Sequence, residues 1–74
     1  MTDDEIQIVT FLRGAPESDF ARREIARKAV RRKVFEENPH WVDVPLASLL
    51  SKGIVEKQEN GLFRISKDKV LAGG

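Results

Sequence analysis

The chain has 74 residues, 41% hydrophobic and 34% charged, with 13 Lys and Arg against 12 Asp and Glu for a net charge of +1. That length holds one domain with a thin core, and the absence of cysteine excludes disulfides and thiolate metal sites. No run approaches the ~20 apolar residues that span a bilayer, and the acidic start Thr2-Asp3-Asp4-Glu5 lacks the pattern of a secretory leader, so a cytoplasmic protein without membrane association is expected.

Thr2-Asp3-Asp4-Glu5 reads as a capping box, with a Thr hydroxyl for an orphan amide and a Glu three residues on reaching back. Ile8, Phe11, Leu12 and Ala15 follow at i, i+3, i+4 and i+7, the apolar stripe of helix 1, expected over about residues 3–13 and closed by Gly14 and Pro16.

Helix 2 is expected over about residues 19–37, capped by Ser18 or Asp19, with Ile25, Ala26, Ala29, Val30 and further on Val34 facing the core. The i, i+4 pairs Arg32/Glu36 and Lys33/Glu37 support its continuation, and Asn38-Pro39 stops it.

Helix 3 is expected over about residues 43–52, with Asp43 as N-cap and Pro45 in the first turn. A start at Asn38 would strand Pro45 inside the helix. Val42, Leu46, Leu49 and Leu50 make its buried stripe. Lys52-Gly53 ends it, with Leu49 and Ile54 spaced for the apolar contact of a Schellman ending. The period then falls to two. Runs 54–58 and 62–66 flank Glu59-Asn60-Gly61, and Asn-Gly between such runs predicts a hairpin because both residues tolerate positive φ. Residues 68–74 are expected to fray.

The predicted class is therefore mainly α with a C-terminal β-hairpin. The stretch Phe20-Ala21-Arg22-Arg23-Glu24-Ile25-Ala26 resembles the opening of helix 2 in winged helix-turn-helix regulators. Leu46 to Glu56, followed by Asn60-Gly61-Leu62-Phe63-Arg64-Ile65, resembles the end of their recognition helix running into the wing. The likeness covers roughly residues 3–66, within one domain over residues 1–67. It implies a three-helix winged-helix fold and a DNA-binding, transcription-related role, with a homodimer as the acting form. Two features depart from the family: Ala21 stands where a Ser or Thr cap is common, and residues 30–43 are longer and more charged than the usual turn between helices 2 and 3.

Charge distribution carries the functional expectation. Arg22, Arg23, Arg27, Lys28, Arg31, Arg32 and Lys33 fall in one helical segment, with Arg23, Arg27 and Arg31 stacked at i, i+4 and i+8. Like charges at that spacing repel by a few tenths of a kcal/mol per pair, a cost that an array of phosphates would offset. The competing reading is a solvated face balanced by Glu24, Glu36 and Glu37. On helix 3, Ser48, Ser51 and Lys52 are the outward polar residues. Base edges are usually read by Arg, Lys, Asn or Gln, so weak sequence specificity is expected. Asn60 and Arg64 of the wing complete the expected nucleic-acid contacts, the competing reading being a hairpin that only covers the core.

The alternative is a protein–protein module in which Phe35, Trp41 and Val42 form a surface for an acidic or apolar partner, Trp being enriched at hot spots. Against it stands Trp41 as a lid on the small core. No catalytic residues are expected, since the chain lacks a cysteine nucleophile and a Gly-rich phosphate loop. No cofactor or metal is expected either: His40 is the single histidine and sits in no ligand motif.

Overall fold

A computed structural model describes residues 1–66, so the tail expected to fray at 68–74 lies outside the described residues. Four helices precede a two-stranded antiparallel hairpin: α1 (Asp3–Arg13), α2 (Arg22–Lys28), α3 (Arg32–Glu37), α4 (Asp43–Ser51), β1 (Val55–Lys57) and β2 (Phe63–Ile65). The mixed α+β class expected from the sequence is what forms.

Helix α1 starts on the capping box that its first residues encode. The Thr2 hydroxyl accepts the Glu5 amide at 3.2 Å, and the Glu5 carboxylate accepts the Thr2 amide at 3.0 Å. Its inward stripe, Ile8, Val9 and Leu12, packs on α4 and β2. The core is closed by Ile25 and Ala26 of α2, Leu46 and Leu49 of α4, and Val55, Phe63 and Ile65 of the hairpin.

The expected helix 2 over residues 19–37 is corrected at its start and in its middle, while helix ends at Glu37 before Asn38-Pro39 as expected. It does not start at Ser18 or Asp19, because Phe20 is extended and forms an antiparallel bridge with Phe63, exchanging N–H···O bonds of 2.8 and 2.7 Å. A backbone held that way turns helical only after Ala21, which is itself extended and serves as the cap. Glu24 then accepts the Ala21 amide at 3.1 Å, the half of a capping box that an alanine cap still allows.

The helix also breaks after Lys28. Ala29 and Val30 bend, Arg31 is extended with ψ 150°, and α3 restarts at Arg32. In an unbroken helix the Ala26 carbonyl would accept the Val30 amide. Here it accepts the Trp41 indole N–H at 2.8 Å instead. Tertiary packing of Trp41 thus competes for the hydrogen bond that would carry the helix through. Val34, expected on the core face, is exposed as a result, while Phe35 packs partly against the core.

Helix α4 begins one residue earlier than an Asp43 cap implies. Val42 is the cap and Asp43 the first helical residue, so the Asp43 carboxylate is free for a different partner. The helix ends as its sequence dictates: Gly53 adopts φ 76°, its amide bonds the Leu50 carbonyl at 3.1 Å, and the Ile54 amide bonds the Leu49 carbonyl at 3.0 Å. This is a Schellman ending in which glycine takes the left-handed position at no steric cost.

The hairpin pairs Val55 with Ile65, Glu56 with Arg64 and Lys57 with Phe63. Of the Asn60-Gly61 pair only Gly61 is left-handed (φ 85°), whereas Asn60 keeps a negative φ and its side-chain oxygen accepts the Leu62 amide at 3.0 Å. The turn forms where expected, but through one left-handed residue rather than two.

Candidate nucleic-acid interface

The seven cations expected on one amphipathic helix are divided by the break at Ala29 and Val30, so the row Arg23, Arg27, Arg31 does not exist as three turns of one helix. Their partners divide them further. Arg22 Nη1 donates to Asp43 Oδ1 at 2.8 Å, joining the starts of α2 and α4, and His40 Nδ1 lies 3.8 Å from the same carboxylate. Lys28 lies 3.6 Å from Glu24, and Arg32 donates to Glu36 at 2.8 Å. The expected Arg32/Glu36 pair forms, and the expected Lys33/Glu37 pair does not.

Among the described residues, Arg23, Arg27, Arg31 and Lys33 are exposed and have no carboxylate within 4 Å. They belong to the stretch from Arg22 to Glu37, where seven cations face three carboxylates for a net of +4, while the rest of the chain is net −3. The near-neutral total conceals a polarised distribution.

The α4 residues expected to meet nucleic acid are placed differently. Ser48 donates to Glu5 Oε2 at 3.0 Å, and the Lys52 ammonium reaches the same oxygen at 2.9 Å. The Glu5 carboxylate, with only 5% of its side chain exposed, thereby joins α1 to α4. The Thr2 backbone N–H, then the Lys52 ammonium, with smaller help from the Ser48 and Thr2 hydroxyls, pull its pKa from the ordinary 4.5 down to about 2 against the opposing effect of burial. Ser48 and Lys52 are thus engaged by the fold. Ser51 remains exposed, and the outward side of α4 is otherwise Val44, Ala47 and the half-buried Leu50.

On the wing, Arg64 lies 3.6 Å from Glu56 across the strand pair, and Asn60 serves its own turn. The surface expected from Phe35, Trp41 and Val42 does not form. Trp41 and Val42 are buried, and Phe35 is partly covered. A chain with few aromatics spends its indole on the core, where its N–H finds a partner.

Two residues that the sequence marks only as helix-capping groups, Glu5 and Asp43, hold this region together. The capping box was a local signal for Glu5, but nothing in the sequence marks partners 43 and 47 residues away. Two shallow hollows flank Arg22. One is lined by Arg22, His40, Asp43, Leu46, Ala47 and Leu50, the other by Arg22, Arg23, Phe35, Pro39 and His40. No group of three His, Asp or Glu side chains among the described residues is arranged to hold a metal ion, and no helix of the described residues is long and apolar enough to cross a membrane. No family model, curated protein or solved structure matches the chain.

Proposed function

We propose that this chain is a winged helix-turn-helix protein that holds duplex DNA by its phosphates with little sequence preference. The order supports it: α1, the extended Phe20 segment bridged to β2, α2, α4 and then the hairpin follow the winged-helix sequence, with α3 inserted in the turn. The carrying observation is the exposed set Arg23, Arg27, Arg31 and Lys33 within the +4 stretch, without an ion partner among the described residues. Weak specificity follows from α4. Inserted in a groove it would offer Val44, Ala47 and Ser51, and methyl contacts with one hydroxyl discriminate poorly among bases.

The test is fluorescence anisotropy of a labelled mixed-sequence duplex across a salt series. Four phosphate contacts at about 0.9 released counterions each give a log–log slope of roughly −3 to −4. A slope near zero, or no binding at low salt, overturns the proposal. A second reading, a protein-binding module, is favoured by one observation: Val44 is 80% exposed beside Ala47 and Leu50. On that reading Val44→Asp abolishes partner capture and leaves the salt slope unchanged.

A further inference from the structure

The geometry points to a phosphate-binding site in the hollow lined by Arg22, Arg23, Phe35, Pro39 and His40, one that Asp43 competes to close. The inserted segment builds it. Arg22 and Arg23 come from the first turn of α2, but Phe35 comes from α3 and Pro39 and His40 from the connection to α4. Without residues 30–43 the two arginines would stand on an open surface.

The donors match a tetrahedral oxyanion. A guanidinium presents five N–H groups in a planar fork suited to two oxygens at once. The single 2.8 Å contact of Arg22 Nη1 with Asp43 leaves the rest of that fork available. Arg23 has no ion partner among the described residues, and His40, 72% exposed, adds a ring nitrogen. Phe35 and Pro39 wall the hollow on its apolar side.

Asp43 sets the threshold. Its carboxylate lies beside both Arg22 and His40, at 2.8 and 3.8 Å, so it occupies donors that an incoming anion needs. Both partners of the Arg22–Asp43 pair are about half exposed (47% and 50%), and half-exposed pairs with one contact are weak. A phosphate taking both guanidinium forks therefore displaces the carboxylate. A carboxylate ligand, with two oxygens, fills one fork only and so gains less against the tethered Asp43.

The shared chemistry is a phosphate group, free or carried on a nucleic-acid chain. The site rests on the DNA-binding reading only for its carrier, so the two are tested separately. The full chain is titrated with inorganic phosphate at fixed ionic strength, following the Arg22 and Arg23 side-chain Nε–H signals and the His40 ring by NMR. Saturable shifts confined to these groups are expected. Asp43→Asn should tighten phosphate binding at least threefold, Arg23→Ala weaken it at least fivefold, and Arg27→Ala leave it within twofold. Asp43→Ser, which keeps a polar side chain at the start of α4, should reproduce the tightening if the Asn variant folds poorly. Unsaturable shifts of equal size at Arg27, Arg31 and Lys33 would mean screening only and would overturn the site, as would unchanged affinity in both Asp43 variants. A second arm uses the labelled duplex. If its affinity also rises in Asp43→Asn, the phosphate is nucleic-acid-borne; if only inorganic phosphate responds, the carrier is a small molecule. A site that saturates with phosphate while the duplex does not bind leaves this inference standing and removes the DNA reading.

Discussion

Along the seam between α1 and α4, charge is collected; along α2 and α3 it is displayed. Glu5 gathers the Thr2 amide, the Ser48 hydroxyl and the Lys52 ammonium around one nearly buried carboxylate. On α2, α3 and the bend between them, Arg23, Arg27, Arg31 and Lys33 stand exposed without such partners among the described residues. The seam therefore fixes the geometry, and the segment is left electrostatically unfinished. The difference teaches that the number of cations in a run says little until their partners are known. Of the cations expected to meet nucleic acid, Arg22, Lys28, Arg32, Lys52 and Arg64 already have carboxylates.

The sharpest way to break this division is at Trp41, which ties the two regions together. Trp41→Ala removes a buried indole and should cost about 3–5 kcal/mol, a large part of the roughly 5–15 kcal/mol that holds a domain folded. Trp41→Phe is the more informative change. It keeps the ring packing but strips the donor from the Ala26 carbonyl, at a cost of about 1–3 kcal/mol if that oxygen stays unpaired. If the indole causes the helix break, the freed carbonyl should recapture the Val30 amide. Hydrogen exchange would then find Val30 protected and helical content raised. An unprotected Val30 in a folded Trp41→Phe protein would assign the break to the repulsion between neighbouring cations instead.

The next effect is at Glu5, and its sign is fixed by its depressed pKa. A carboxylate at about 2 folded and near 4.5 unfolded stabilises the fold fully above pH 4.5. That contribution is lost as pH falls from 4.5 towards 2, because the unfolded chain takes up the proton first. Urea midpoints measured between pH 7 and pH 2 should fall through this window in the native chain. Glu5→Gln should be less stable at neutral pH and should flatten the decline. An equally steep decline in Glu5→Gln would place the acid sensitivity in other carboxylates and empty the seam of its assigned role.

How much of this was readable beforehand follows the range of each interaction. The capping box spans three residues, the Schellman ending five, and the hairpin turn four, so each was legible from neighbours alone. The Arg32/Glu36 pair, one helical turn apart, belongs with them. The helix break was not legible, because the Trp41 indole that bonds the Ala26 carbonyl sits 15 residues from it. The late start of α2 depends likewise on Phe63, more than forty residues on. For the candidate interface the sequence supplied the cations and their polarity. It could not assign Arg22 to Asp43, or Ser48 and Lys52 to Glu5, since those pairings exist only once the helices are packed.

The smallest expected change in stability is also the one that separates display from structure. Arg27→Ala combined with Lys33→Ala removes two exposed cations with no ion partner among the described residues, so stability should move by less than about 0.5 kcal/mol. Arg32→Ala, which deletes a helical i, i+4 pair, should cost a comparable ~0.3–0.5 kcal/mol. The two variants should nevertheless part company on a duplex. Each phosphate contact removed lowers the magnitude of the salt slope by about 0.9, so the double variant should lose nearly two units. Arg32→Ala should lose less than one, because Glu36 already competes for that guanidinium. Equal slopes in the two variants would mean that pairing in the free protein does not decide which cations meet phosphate, and the contrast between seam and segment would no longer predict binding.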